Sequence, residues 1–196
     1  MKSDNIRVST SGEGVKEALA QTEAIAKVKG LSSQDCLKLT LLAEEMLGML
    51  QGLTGELEAI YSIEEEDNSY QLHLTTDTEM YSQKRQRLID ASSDNRNDAA
   101  VGIMGKLRCL LESILEPKDA NTPKVSSLGV FGSMADPVGG GAALWSLSEY
   151  RDKVRAAEDA AEEWDELEKS IVANIAEDIR VGIKGNTVEM TISKKF

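Results

Sequence analysis

The stretch Leu39–Leu53, LTLLAEEMLGMLQGL, leaves little freedom to any chain that contains it. At roughly 100° per residue, Leu39, Leu42, Met46, Met49, Leu50 and Leu53 fall on one side, giving an amphipathic helix of about four turns. A face this apolar has to be buried against a second layer. Glu44 points to water, and Glu45 stands on the rim of the apolar face one turn before Met49. A carboxylate in that place is either a solvated boundary residue or a group aimed into a cleft, and the first is the commoner case.

The flanking sequence supplies that layer. Ile6–Ser9 reads as a short strand and Gly14–Lys29 as a helix closed by Gly30. Ser32 or Ser33 caps the long helix, with Asp35 in its first turn. Beyond Gly52 and Gly55, Leu57, Ala59, Tyr61 and Ile63 alternate with Glu58, Ile60, Ser62 and Glu64. After an acidic turn over Glu65–Ser69, Tyr70, Leu72, Leu74 and Thr76 alternate with Gln71, His73 and Thr75. This is a hairpin with one buried face. His73 lies on its polar face as a cross-strand residue without companion ligands.

Helices are expected over about Tyr81–Ala91 and over Ala99–Leu115, the second joined to the first by the polar Ser92–Asp98. Glu116–Gly141 holds all three prolines (Pro117, Pro123 and Pro137) and the triple glycine Gly139–Gly141, with a short strand expected near Val130-Phe131. A loop of that length is usually functional or mobile. Its triple glycine lacks both GxGxxG and a GK[ST] ending, so it reads as a hinge or linker rather than a phosphate cradle. Leu147–Ala157 and Ala161–Ala176 follow as helices. The second turns Trp164, Leu167, Ile171 and Ile175 inward and Glu162, Glu163, Asp165, Glu166 and Glu168 outward. Ile179–Ile183 and Val188–Ser193 close the chain as a hairpin around Lys184-Gly185-Asn186.

The totals narrow the function classes. With 34 acidic and 22 basic residues the formal charge is −12, which argues against nucleic acid or an anionic membrane as partner. Cys36 and Cys109 lie far apart in apolar helical patterns and read as reduced core thiols of a cytoplasmic protein. The opening MKSDNIRV has no apolar signal region, and no run approaches ~18 apolar residues, so neither export nor membrane insertion is expected. The pattern predicts one α+β domain over 1–196. It is a two-layer α/β sandwich, its mixed, mostly antiparallel sheet covered by helices on one face, with a loop-rich and helical insertion at about 117–160.

This order of elements, with the residues inside it, resembles the GHKL fold of the histidine-kinase-like ATPases, and most nearly the anti-sigma-factor serine kinases of bacteria. In that family the long helix carries an EEAxxN box, where this chain has Ala43-Glu44-Glu45-Met46-Leu47-Gly48-Met49. Gly102-Ile103-Met104-Gly105-Lys106-Leu107 is similar to the family's second glycine box, and Gly185-Asn186-Thr187-Val188 to its GT step. The resemblance implies Glu45 as the carboxylate that orients or deprotonates the attacking group. It implies Asp77 as the acceptor of the adenine amino hydrogen, Gly102 and Gly105 as phosphate-approaching amides, Lys106 as their counter-charge and Thr187 on the adenine side.

Two departures bear on chemistry. Met49 stands where the family has the Asn that holds Mg²⁺, and a thioether is too soft for that ion. Asp77 is followed by Thr78-Glu79-Met80 rather than the glycines of DxGxG. The expectation is therefore a degenerate ATPase domain that regulates by protein contact, with ATP or ADP bound weakly or not at all, no metal ligand set, and a protein partner or a second copy of itself. Two alternatives remain open. One is an active ATP-binding serine kinase. The other is an interaction module that never meets nucleotide and docks through its acidic helix.

Overall fold

The computed structural model describes residues 1–53, 56–77, 102–115, 143–157, 160–184 and 187–196. The helix expected at 81–91, the strand near 130–131 and the triple glycine lie outside the described residues. In chain order the elements are β1 (Ile6–Ser9), α1 (Val15–Val28), α2 (Ser33–Gln51), β2 (Glu58–Glu66), β3 (Ser69–Asp77) and α3 (Gly102–Leu115). They continue with β4 (Ala143–Ser146), α4 (Leu147–Ala156), α5 (Ala161–Lys169), α6 (Ile171–Ile175), β5 (Asp178–Lys184) and β6 (Thr187–Lys195). Among the described residues, no helix is long and apolar enough to cross a membrane.

The strands form one six-stranded sheet in the order β1-β2-β3-β6-β5-β4. A mixed sheet was expected, yet every described pairing is antiparallel. The two hairpins β2–β3 and β5–β6 dock side by side through β3 and β6, so neighbours alternate in direction without a parallel crossover. Register places Ile6, Tyr61, Leu74, Met190, Val181 and Trp145 in one row across all six strands, and every one is buried. The next row, Arg7, Ile60, Thr75, Glu189 and Gly182, points the other way and is exposed or half-exposed. Alternation thus gives one face to the helices and leaves the other polar.

The β2–β3 turn is tighter than the acidic run suggests. Both strands extend further, and only Asp67 and Asn68 turn the chain, at φ 50° and 63°. Two consecutive positive φ values are the type I′ geometry that matches strand twist, and Asx residues tolerate it. Glu65 is drawn into the structure as a result. It pairs with Lys29, accepts from the Asn68 amide at 3.3 Å and lies 3.9 Å from the terminal ammonium.

On the helical side, α2 buries Leu39, Leu42, Ala43, Met46, Leu47, Met49 and Leu50. Each large aliphatic side chain so buried contributes roughly 1.5–3 kcal/mol. Ser32 caps α2 by accepting from the Asp35 amide at 3.2 Å. Two expectations need correction. Residues 143–156, expected inside an insertion, provide the sixth strand and a helix that packs on β5. The single helix expected over Ala161–Ala176 breaks at Ser170, whose extended backbone ends α5 and whose hydroxyl caps α6 through the Ala173 amide. The break rotates the helical face after it, so Ile171 is 55% exposed; Trp164, on α5 itself, is 40% exposed rather than turned inward, while Leu167, Val172 and Ala173 fill the core.

Candidate functional site

The rim position of Glu45 becomes a cleft because α3 lies against α2. Ile103, Leu107 and Leu111, at helical spacing, bury the underside of α3, which leaves Met104 and Gly105 beside Glu45. On one side of Glu45 a depression of about 320 Å³ is bounded by Glu44, Gly48, Met49, Gly105 and Arg108. On the other, a depression of about 590 Å³ reaches to Glu162, Glu166, Ile171 and Val172. Glu45 and Met104 line both, so the two are halves of one groove between α2, α3, α5 and α6. A Cβ at Gly48 would meet nothing within 4 Å, so the groove is open there. Glu44, expected to face away, is exposed but also lines this groove.

Lys106 is committed within the protein. Its ammonium pairs with the Glu166 carboxylate, donates to the Tyr150 hydroxyl at 3.5 Å and stands 5.9 Å from the centre of the Tyr150 ring. Burial works against its charge, but Glu166 and Tyr150 outweigh that and hold its pKa above the ordinary lysine value. The same burial raises Tyr150, partly offset by the Lys106 ammonium. A phosphate entering the groove would have to compete with Glu166 for Lys106 while facing Glu44, Glu45 and Glu162. For none of these three does an ion pair occur among the described residues. Met49 is 5% exposed and offers only sulfur, so it supplies no oxygen for Mg²⁺ at the position the resemblance gives to that ion.

The structure brings Glu45 and Gly105 together on the groove, with Lys106 next to Gly105 and paired to Glu166, which lines the groove's other half, and with Gly102 as the first residue of α3. It does not bring Asp77 and Thr187 there. Those two face each other across the β3–β6 ladder, at positions that alternate with the buried Leu74, Val188 and Met190. They therefore lie on the open face of the sheet and line a separate depression of about 270 Å³ with Arg7, Glu58, Ile60 and Thr75. None of its lining residues is shared with the groove.

His73, on the same open face, is bonded through Nδ1 to Glu189 at 3.0 Å and to Thr191 at 3.2 Å. Among the described residues, no three His, Cys, Asp or Glu side chains converge in a metal-holding group. Sequence reasoning missed Glu166 and Tyr150 as partners of Lys106. Glu166 sits in a run of acids that all look solvated, and nothing local singles it out. Comparisons with protein-family models, with curated proteins and with solved structures give no match to this chain.

Proposed function

We propose that this chain is a degenerate relative of the GHKL ATPases, nearest the bacterial anti-sigma-factor serine kinases, and that it regulates a partner by protein contact rather than by phosphoryl transfer. The antiparallel sheet under a helical layer and the long helix with a rim carboxylate support the ancestry. The Lys106–Glu166 pair is the observation that carries the loss of catalysis. Phosphoryl transfer depends on cations placed where charge builds on the transferring group. Here Lys106, the cation the resemblance assigns to that role, is already paired with Glu166, and Glu44, Glu45 and Glu162 outnumber Arg108 along the groove. Met49 in the metal-holding position points the same way.

A second reading, an active kinase with a rebuilt metal site, draws on Glu44, which joins Glu45 at the groove and would add an oxygen donor. Turnover separates the two. On the first reading the purified protein hydrolyses ATP no faster with Mg²⁺ than with EDTA, and Glu45→Gln changes nothing. Magnesium-dependent hydrolysis abolished by Glu45→Gln and by Glu44→Gln would overturn it in favour of the second.

A further inference from the structure

We infer that the groove between α2, α3, α5 and α6 receives a basic amphipathic segment of a partner protein. An apolar side chain of that segment would seat against Met104 and Ile171, and its lysines or arginines would meet Glu44, Glu45 and Glu162. This rests on the reading of the protein as a regulator acting by contact, and it names the surface and the chemistry of the partner.

The floor of the groove is apolar. Ile103 and Val172 are almost wholly buried beneath it, Met104 is half-exposed, and Ile171 is left 55% exposed by the chain break at Ser170. A large aliphatic residue held out beside the apolar floor widens the apolar surface that a partner side chain would cover. The rim is anionic in a particular way. Asp165 and Glu166 have their charges met by Lys169 and Lys106, whereas Glu44, Glu45 and Glu162 have no ion pair among the described residues. Arg108 also lines the rim, but an apolar floor edged by these three carboxylates stays complementary to a helix with an apolar stripe and basic flanks, and it disfavours an acidic one. The formal charge of −12 adds long-range attraction for a basic segment. The depression around Asp77 and Thr187 makes a weaker case, because the Glu58 carboxylate on its rim is already met by Arg7 at 3.7 Å.

The test uses the full chain and a fluorescein-labelled synthetic helix of leucine and lysine at helical spacing, read by anisotropy, with a leucine–glutamate helix as counterpart. The lysine helix binds saturably with one site per chain, and the glutamate helix does not bind. The double variant Glu45→Gln/Glu162→Gln weakens binding about tenfold. Ile171→Ser weakens it by a similar factor, which a purely electrostatic attraction would not show. The double variant Glu13→Gln/Glu17→Gln removes the same charge from exposed positions of the loop before α1 and of α1 itself, and it leaves binding within about twofold.

Equal weakening by both double variants would mean diffuse charge attraction and would overturn the proposal. So would binding of both helices alike, absence of binding, or self-association of the chain that Ile171→Ser abolishes. Failure here with no nucleotide bound would leave the contact-regulator reading standing on another face. Magnesium nucleotide bound in the groove would remove that reading itself.

Discussion

Gly14 and Gly30 share a backbone angle and differ in surroundings, which makes them a controlled experiment. Both have φ of +74°. Gly30 follows the end of α1 in a Schellman arrangement, its amide bonded to Lys27 O and that of Leu31 to Ala26 O. A Cβ there would meet nothing within 4 Å. At Gly14, which precedes α1, a Cβ would lie 1.9 Å from the Arg7 carbonyl oxygen and 3.0 Å from its carbon, in the middle of β1. Gly30→Ala thus costs only the left-handed conformation, about 1–2 kcal/mol.

Gly14→Ala costs that plus the displacement of β1 from α1, about 1–3 kcal/mol for an overpacked site. The sum, about 2–5 kcal/mol, is a large part of the 5–15 kcal/mol that ordinarily holds a domain, so Gly14→Ala melts roughly 4–20 °C lower. Urea unfolding followed by far-ultraviolet circular dichroism measures both variants on one scale. Equal losses, within about 0.5 kcal/mol, would refute the contact between the Gly14 turn and β1.

Two further predictions concern the core and the acid limb. Thr22 and Tyr61 are both fully buried. The Thr22 hydroxyl donates to Ala18 O at 2.8 Å and accepts from Tyr61 at 2.8 Å. Thr22→Val strands the tyrosine hydroxyl and costs about 1–3 kcal/mol; adding Tyr61→Phe recovers part of the loss, and strict additivity in a double-mutant cycle would contradict the bond.

Lys29 holds the Glu65 carboxyl below its ordinary value, with help from the Asn68 amide; Lys2 does the same for Glu64, and Ser32 with Lys38 for Asp35. A depressed carboxylate stabilises the fold above its unfolded pKa and is lost as pH falls through the folded one, so stability drops as the medium is acidified below about pH 4.5. Glu65→Gln flattens that limb of the urea-midpoint profile, and an unchanged slope would contradict the pairing.

Elements whose identity is written in a local period could be read directly. The face from Leu39 to Leu53 and the alternations of β2, β3 and β6 each repeat often enough that tertiary context had nothing to overrule. The rim position of Glu45 also follows from its angle on α2, whereas the cleft beside it is made by α3. What could not be read depends on a partner distant in sequence. Ala143–Ser146 is four residues with an irregular register, and it is a strand only because β5 offers an edge. The break at Ser170 turns on one hydroxyl capping its own chain, and it reverses the exposure of Ile171. Lys106 looks like a free counter-charge until Glu166, from another helix, is brought against it. Asp77 and Thr187 look like neighbours of Glu45 until the register shows which face of the sheet they take.

The groove beside Glu45 is proposed to bind no nucleotide. Calorimetric titration of ATP and of ADP into the intact protein, with Mg²⁺ and separately with EDTA, tests this most directly. The expected result is no heat of binding and no thermal stabilisation at millimolar nucleotide under either condition. Tight binding that requires Mg²⁺ would contradict it, because the metal would then have found the oxygen ligands that Met49 does not supply.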